Sequence, residues 1–367
     1  MKRLIALLLV VLMAVGLFAA CSSKNADEDA DVNGGSTDAP NTTDETSQTD
    51  KTPSSDEDTL RVCMITDTGG LGDNGFNDMA WAGMEQARDT FGCEIGIIES
   101  NEAAQYASNI SAAADQDYDV IILVGFLLQD ALAEVAPQYP DTKFIIIDGE
   151  VEGDNVYSFK YKMQEVSFLA GALSAYVQSD SDCFGVVVGM EIPDCIRWGS
   201  GFIAGVKAIN PDAKVLTAAV GSFADPGKAK ELALAQFNQG ATAVIEVSSG
   251  GAIGVIEAAA ESGNKFVATD KSKDDQAPGS ELTAALAGRD SAVFTALKEM
   301  VEGTDTPGTK VLTMADGVFS VPDYTEERYG AEAAELVETL KQMIVDGEIV
   351  VPETYEEANA FPALDLG

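Results

Sequence analysis

Histidine is absent from the 367-residue sequence, and basic residues are scarce: 22 lysines and arginines stand against 61 acidic residues, for a net charge of −39. The absence of histidine removes the commonest general base, the serine-type catalytic triads and most zinc sites. The acidic excess makes nucleic acid and anionic membrane surfaces poor partners. We therefore expect no metal site, no cofactor and no nucleic-acid partner.

Cysteine is also rare, with five residues in the chain. Cys63, Cys93, Cys183 and Cys195 follow a spacing that fits no metal-binding motif. Cys63 and Cys93 lie near the starts of two predicted strands, which leaves two interpretations: a disulfide, or two small buried hydrophobic residues. We favour the second interpretation.

The N-terminal residues have the pattern of an export signal. Two basic residues precede an apolar run from Leu4 to Ala20, and small residues come directly before Cys21. This order is typical of a signal peptide, and the cysteine after it resembles a bacterial lipobox. We predict a signal peptide over residues 1–20 and lipidation of Cys21, which anchors the protein on the extracytoplasmic face of the cell membrane. A plain signal anchor is the alternative.

Residues 21–59 form a second zone, which is rich in acidic, hydroxyl and amide side chains and has no aromatic residue. Such a segment cannot bury enough apolar surface to offset its ordering entropy, so we predict a disordered tether behind the lipid anchor. No later segment is apolar and long enough to cross a membrane. The roughly 300 residues that follow are enough for two lobes with separate cores.

Short apolar segments alternate with amphipathic segments from residue 60 onwards. Arg61–Thr66 has the pattern of a buried strand, and Phe76–Phe91 carries apolar residues at helical spacing. Further helices are predicted near Ala103–Ala114, Asp130–Pro137, Glu165–Val177, Ser200–Ile209, Ala229–Phe237, Ile253–Glu261 and Glu326–Val345. Continuous apolar strands that alternate with helices predict parallel sheets covered on both faces.

Two such alternating runs in series predict an α/β fold of two doubly wound parallel-sheet lobes with a ligand cleft between them. We place the first lobe at residues 60–158 plus about 270–318 and the second at 159–269 plus about 319–367. In sheets of this kind ligands bind beyond the carboxyl ends of the strands, and two facing lobes close around a ligand at a hinge.

Acidic and aromatic residues follow the predicted strands in both lobes. Asp67 and Asp148 end strands of the first lobe, and Asp270 ends a strand of the second. Phe76 and Trp198 lie near the same ends, where each is either a core residue or a cleft residue. Aromatic faces stack on flat rings, and carboxylates accept hydrogen bonds from ring N–H groups or sugar hydroxyls.

The turn between Asp67 and Asp78 is rich in glycine, but its spacing is neither a dinucleotide fingerprint nor a Walker loop. Its carboxylates disfavour phosphate, and we interpret Asp73 as the N-cap of the helix that follows.

The motif Asp67-x-Gly-Gly-x-x-Asp-x-x-Phe76-Asn77, with Trp81-x-Gly83 after it, closely resembles the opening of the BMP family. This family comprises basic membrane proteins and purine-nucleoside receptors, which are the substrate-binding lipoproteins of ABC importers. The similarity continues in chain order through Gly125–Asp130, Phe144–Asp148, Glu165–Gly171, Gly201–Pro211 and Asp346–Pro352.

The resemblance implies a type I periplasmic-binding-protein fold, no enzymatic activity and capture of a purine nucleoside by a monomer that serves an ABC permease and its ATPase. The ligand-binding residues it implies, together with those at the strand ends, are Asp67, Thr68, Phe76, Asn77, Phe126, Asp148, Trp198, Gly250, Gly251 and Asp270. Phe76 and Trp198 correspond to an aromatic pair that sandwiches the base. Asp67 and Asp148 correspond to base contacts, and Asp270 to the acid that holds ribose hydroxyls.

The sequence departs from the family near the ribose positions. Ala287 occupies the position where relatives commonly carry a ribose-facing lysine, and Arg289 is the available substitute, with a different geometry. The segment Lys271–Gln276 also differs from the usual sequence.

Three other functions remain open from the sequence. The same fold serves receptors for other small solutes, such as a sugar or a signalling molecule. A nucleoside hydrolase would use a calcium-binding cluster such as Asp67, Asp73 and Asp78. An adhesin or antigen would keep the fold with a vestigial pocket.

Overall fold

The computed structural model describes residues 59–365, so the predicted signal peptide, Cys21 and nearly all of the predicted tether lie outside the described residues. The strands, in chain order, are β1 (Arg61–Thr66), β2 (Glu94–Ile98), β3 (Val120–Val124), β4 (Lys143–Ile147), β5 (Val156–Tyr161), β6 (Cys183–Val188), β7 (Lys214–Ala219), β8 (Ala243–Val247), β9 (Lys265–Asp270), β10 (Glu281–Ala287), β11 (Gly308–Leu312) and β12 (Phe319–Ser320). The α-helices are α1 (Phe76–Phe91), α2 (Tyr106–Ala114), α3 (Gln129–Val135), α4 (Met163–Val177), α5 (Pro193–Ile209), α6 (Pro226–Asn238), α7 (Ala252–Ser262), α8 (Arg289–Glu302), α9 (Thr325–Tyr329), α10 (Ala331–Val345) and α11 (Tyr355–Asn359).

The strands form two six-stranded sheets with the same internal order. The first sheet runs β11-β5-β4-β3-β1-β2 and the second runs β12-β10-β9-β8-β6-β7. All pairs are parallel except the short edge strand β12, which runs antiparallel to β10. The predicted fold class, two doubly wound α/β lobes, is confirmed.

Both faces of the first sheet are covered, because successive side chains of a strand point to opposite sides. Val62 and Met64 of β1 belong to the core on one face, whereas Cys63 and Ile65 belong to the core that α2 and α3 cover on the other. Cys93 lies in the core opposite to that of Cys63, and both thiols are free. The two cysteines are therefore buried hydrophobic residues without a disulfide.

Glycines bring the helices of each lobe into close contact. In the first lobe α1 packs on α8, and a Cβ on Gly83 would lie 2.4 Å from the carbonyl oxygen of Asp290. In the second lobe α4 packs on α5, where a Cβ on Gly201 or Gly205 would lie 2.2 or 2.0 Å from a backbone oxygen of α4. Only glycine allows such an approach. These crossings fix the two helices, α1 and α5, whose first turns face the strand ends.

The lobe boundaries differ from the predicted ones in two places. β5 belongs to the first sheet and extends to Tyr161, beyond the predicted boundary at residue 158. The strand β10 pairs with β9 in the second sheet, so the chain returns to the first lobe at Gly288 and not near residue 270. An apolar strand pattern carries no information about which sheet the strand joins. The chain passes from the first lobe to the second for the last time between β11 and β12, close to the predicted boundary at residue 319.

Two helices also differ from their predicted bounds. α5 begins at Pro193 and not at Ser200, because proline suits the first turn of a helix, and Trp198 therefore lies inside the helix. The single helix predicted over 326–345 is divided into α9 and α10 at Gly330, whose φ of 88° leaves the helical region.

Candidate functional site

The carboxyl ends of the two sheets meet at a cavity with about 550 Å³ of space not filled by atoms, part of it open to solvent. The first lobe and its helix α8 contribute Asp67, Phe76, Gly125, Phe126, Leu127, Asp148 and Arg289 to its lining. The second lobe contributes Met163, Ile192, Asp194, Cys195, Trp198, Phe223, Val247, Ser249, Thr269 and Asp270. The structure thus brings Asp67, Phe76, Phe126, Asp148, Trp198 and Asp270 of the predicted set together around one cavity.

Four residues of the predicted set are not among the lining residues. Asn77 is fully buried behind Asp67, and Thr68 is half-buried beside it. Gly250 and Gly251 lie in the short turn before α7, where the Gly251 amide donates to the Phe223 carbonyl oxygen at 3.1 Å. These four residues lie beside the lining residues rather than among them.

Asp67 is buried at the end of β1 and is held by local hydrogen bonds. Its Oδ1 accepts from the Gly69 amide at 2.9 Å and from Nδ2 of Asn77 at 3.1 Å. Burial raises the pKa of Asp67 to about 6, and the nearby Asp73 adds to this while the two hydrogen bonds oppose it. Asp67 therefore titrates close to neutral pH.

Asp148 and Asp270 occupy equivalent positions in the two lobes. Asp148 directly follows β4 and Asp270 ends β9, and these strands hold the same place in their sheets. Both residues have a left-handed backbone, with φ of 56° and 70°. This conformation is less favourable for most residues than for glycine, although aspartate tolerates it, and strained residues of this kind often cluster at functional sites.

Arg289, the first residue of α8, joins these two acids. Its Nε and Nη2 donate to Oδ2 of Asp148 at 3.1 and 2.9 Å, and its Nη1 donates to Oδ1 of Asp270. The side chains of Arg289 and Asp148 are 2% and 3% exposed, so the pair lies out of water. Burial raises the pKa of Asp148, and the charge and hydrogen bonds of Arg289 counteract this rise.

Two aromatic residues of the cavity, Phe76 and Trp198, come from equivalent helices, α1 and α5, each of which follows the first strand of its lobe. Phe76 is half-buried and Trp198 is 4% exposed. Both rings line the cavity, yet they are not among the aromatic pairs found in contact within residues 59–365. The Arg289 guanidinium carbon lies 4.7 Å from the centre of the Phe76 ring.

A second polar contact joins the lobes at the entrance of α1. The Ser249 hydroxyl, which follows β8, donates to Oδ2 of Asp73 at 2.8 Å. Asp73 also accepts from the amides of Gly75, Asn77 and Asp78. The N-cap position of α1 is Gly75 and not Asp73 as predicted, but the Asp73 side chain satisfies the free amides of the first turn.

No group of Asp, Glu or Cys side chains within residues 59–365 is arranged to hold a metal ion. The Asp78 carboxylate accepts hydrogen bonds from the amides of Gly72 and Asn74, and the Asp73 carboxylate accepts those described above. The described part of the chain also has no helix with both the length and the apolar character needed to cross a membrane.

Comparison with known proteins assigns this architecture. The sequence profile of the Bmp family, described as ABC transporter substrate-binding protein PnrA-like, matches residues 60–354. The chain belongs to this family.

Two curated relatives and a solved structure are similar to most of this chain. A CD4+ T-cell-stimulating antigen of Listeria innocua is 29% identical, over 80% of this chain and 88% of its own length. The ABC transporter nucleoside-binding protein BmpA of Lactococcus lactis is 28% identical, over 96% of this chain and 99% of its own length. A crystal structure of an ABC transporter solute-binding protein from Aeropyrum pernix covers 82% of this chain and 96% of that one, with a TM-score of 0.76 and 28% identity.

This Bmp-family protein is therefore a substrate-binding protein of an ABC transporter with the type I periplasmic fold, and the family is a class of solute-binding proteins rather than of enzymes.

Sequence reasoning missed several lining residues. Asp194 belongs to the first turn of α5, which was predicted to begin later, and Phe223 lies in a loop without any pattern. Thr269 lies next to Asp270 at the end of β9, so the rule that ligands bind at the carboxyl ends of strands could have identified it. Arg289 was weighed only as a substitute for a lysine, and its contact with both acids depends on how the lobes meet.

Proposed function

We propose that this protein is the lipid-anchored capture subunit of an ABC importer and binds a nucleoside, of the purine type, in the cavity between its lobes. The observation that carries the proposal is the placement of two large aromatic rings, Phe76 and Trp198, on equivalent helices around one cavity that also contains buried carboxylates. The nucleoside-binding name of the Lactococcus lactis relative supports the same ligand class.

The base binds between the rings of Phe76 and Trp198 in this proposal. The guanidinium of Arg289 covers one face of Phe76, so the base stacks on the other face. Stacking of a base on an aromatic side chain contributes about 1–3 kcal/mol. Asp67 and Asp148 accept hydrogen bonds from base N–H groups, and Asp270 accepts from ribose hydroxyls.

The predicted residues outside the lining have supporting roles. Asn77 orients the Asp67 carboxylate through its 3.1 Å hydrogen bond. Gly250 allows the turn after β8 to approach the Phe223 loop, since a Cβ there would lie 3.1 Å from the Phe223 carbonyl oxygen. Thr68 directly follows Asp67 and Gly251 directly follows Gly250, so both residues lie next to these contacts.

Lipidation of Cys21 and the predicted tether keep the binding lobes near the permease and ATPase at the extracytoplasmic face of the membrane. The lipoprotein names of relatives from Pyrococcus abyssi and Pyrococcus horikoshii support this location. In cells that produce the protein, Cys21→Ser should move it from the membrane pellet to the soluble or secreted fraction. A variant that stays in the pellet would point to a signal anchor.

Tryptophan fluorescence provides the direct test of the ligand. The sequence has two tryptophans, Trp81 and Trp198, and Trp81 does not line the cavity. In a Trp81→Phe variant of the detergent-solubilised full chain, titration with guanosine, inosine or adenosine should change the emission of Trp198. Calorimetry should give the same affinities for this variant and the wild type.

Phe76→Ala and Trp198→Ala should each weaken nucleoside binding by about 5- to 150-fold, because each removes one face of the sandwich. Phe91→Ala, which alters a stacked pair with Phe294 away from the cavity, is the matched control. Binding of sugars but not of nucleosides would replace the proposed ligand, and unchanged affinities in both cavity variants would contradict the sandwich.

A further inference from the structure

Arg289 is a buried cation whose donors are directed at protein groups. Its residue exposure is 1%, and α8 holds it against α1. Two of its nitrogens donate to the same oxygen of Asp148, a third donates to Asp270, and Nη2 also lies 3.3 Å from the Met163 sulfur. The planar guanidinium reaches carboxylates from both sheets at once, which the single ammonium group of lysine cannot do with the same geometry.

The hydrogen bonds of Arg289 leave one oxygen of Asp148 without a partner. Oδ2 of Asp148 accepts both bonds from Arg289, whereas Oδ1 is buried and has no hydrogen-bond partner in the described chain. Arg197 produces the same result at Asp194, where it bonds Oδ1 and leaves Oδ2 buried without a partner. Both residues line the cavity.

These are the only buried side-chain polar atoms of the lining residues described between 59 and 365 that have no partner, and both are carboxylate oxygens. An ionised carboxylate accepts hydrogen bonds and donates none. A buried oxygen of this kind without a partner is costly, so a ligand that supplies an N–H or O–H group gains affinity and one that supplies an acceptor loses it.

We infer that Arg289 is a specificity-determining residue of the proposed nucleoside site, because it occupies Oδ2 of Asp148, leaves Oδ1 without a partner and thereby, together with the unpaired Oδ2 of Asp194, selects ligands that carry several hydrogen-bond donors. The inference rests on the proposed function. Among the common purine nucleosides, guanosine fits best, since its ring N1–H and exocyclic amino group lie side by side. Inosine lacks the amino group.

Calorimetry on the detergent-solubilised full chain tests the inference with guanosine and inosine. The wild-type protein should bind guanosine about 10- to 100-fold more tightly than inosine, which corresponds to one hydrogen bond to a charged group. Arg289→Lys should weaken guanosine binding by about tenfold and bring the two affinities closer together, since lysine holds one carboxylate only. Arg289→Met should reduce the ratio to about one.

Arg61 offers a matched control at the amino-terminal end of β1, away from the strand ends that form the cavity. It donates to two backbone oxygens and its guanidinium lies 4.8 Å from the ring centre of Tyr118, yet it does not line the cavity. Arg61→Lys should leave both affinities and their ratio unchanged. Melting temperatures of all variants, measured without ligand, separate loss of binding from loss of folding.

Each outcome decides between the two proposals. If the wild-type protein binds neither nucleoside, the proposed function fails whatever Arg289 does. If it binds both without preferring guanosine, or if folded Arg289→Lys keeps the wild-type ratio, the nucleoside proposal stands and the role of Arg289 is wrong. If Arg289→Met does not fold, the Arg289→Lys ratio decides the question.

Discussion

The two lobes have the same strand order but contribute differently to the cavity. Both provide an aromatic ring from the helix after their first strand and an aspartate at the end of the same strand position. The first lobe adds Asp67 and Arg289, whereas the second adds Asp194, the hydroxyls of Ser249 and Thr269, and otherwise mainly apolar residues. A shared fold therefore fixes where the ligand binds, and residues unique to one lobe decide what it must present.

The contacts of Arg289 show the same asymmetry. Its bonds to Asp148 lie within the first lobe, and its bond to Asp270 crosses to the second. Opening of a hinge between the lobes would break the bond to Asp270 and leave the bonds to Asp148 in place. We thus expect the first lobe to keep its binding geometry in the open protein, while Asp270 joins the site on closure.

The largest expected effect concerns this asymmetry. Asp148→Ala should lower the free energy of unfolding by about 3–5 kcal/mol, because it removes the main partner of a buried cation. Asp270→Ala, which removes one bond, should cost about 1–3 kcal/mol. Urea unfolding measures both, and equal losses would contradict the asymmetry. Glu299→Ala, which breaks a partly exposed pair with Lys310, is the control and should cost less than about 1 kcal/mol.

The close helix crossings should be needed in both lobes. Gly205→Ala and Gly83→Ala should each destabilise the fold by about 1–3 kcal/mol, because a Cβ would overlap a backbone oxygen of the neighbouring helix. Gly205→Ala should be the more harmful of the two, since its contact is shorter. Gly227→Ala has room in the first turn of α6 and should change stability little; a similar loss there would mean that crowding is not the cause.

Asp67 has no acidic counterpart in the second lobe, so it should give the site its own pH dependence. With a pKa of about 6, Asp67 is mostly protonated at pH 5, and a ligand that donates to its carboxylate should bind about tenfold more weakly there than at pH 7. Asp67→Asn should flatten this profile, which calorimetry at several pH values measures. An unchanged slope would place the titrating group elsewhere.

The contribution of Asp67 to folding stability depends on pH in the opposite direction to its contribution to ligand binding. Because the folded-state pKa is raised from 3.8 to about 6, the folded chain holds this proton more firmly than the unfolded chain. The contribution of Asp67 to stability is therefore greatest below this window and falls as the pH rises through it. Urea unfolding of the wild type and Asp67→Asn at pH 4 to 7 should show the difference.

The smallest expected effect comes from the contact between Ser249 and Asp73. Ser249→Ala removes a 2.8 Å hydrogen bond between the lobes and leaves Asp73 its amide donors. Ligand release should become about 2- to 10-fold faster, with little change in the association rate. Stopped-flow fluorescence in the Trp81→Phe background measures both rates. A slower association alone would contradict a role in the closed state.

The sequence predicts most of this fold because buried parallel strands and their covering helices have clear periodic patterns. The predicted helix over Phe76–Phe91 is confirmed in full. The sheet to which β10 belongs could not be predicted, since an apolar run fits either sheet. The late predicted start of α5 had a local cause, because Pro193 reads equally well as a loop residue.

The site was less predictable than the fold, for a physical reason. Strand ends are visible in a sequence, and they led to Asp67, Asp148 and Asp270. The bridge made by Arg289 depends on the distance between two sheets, and no local pattern encodes that distance. Phe223 lines the cavity from a loop, and no local sequence pattern indicates this position either.

Asp148, Ser249 and Asp270 all have a left-handed backbone, with φ of 56°, 51° and 70°. Glycine would relieve this strain at Ser249, so selection for heat resistance alone would be expected to replace it there, whereas Asp148 and Asp270 would be retained as partners of the buried Arg289. Selection for solute uptake would retain the Ser249 side chain as well, at the expense of thermal tolerance. Parallel evolution under the two pressures would therefore separate the residues that fold the cavity from those that use it.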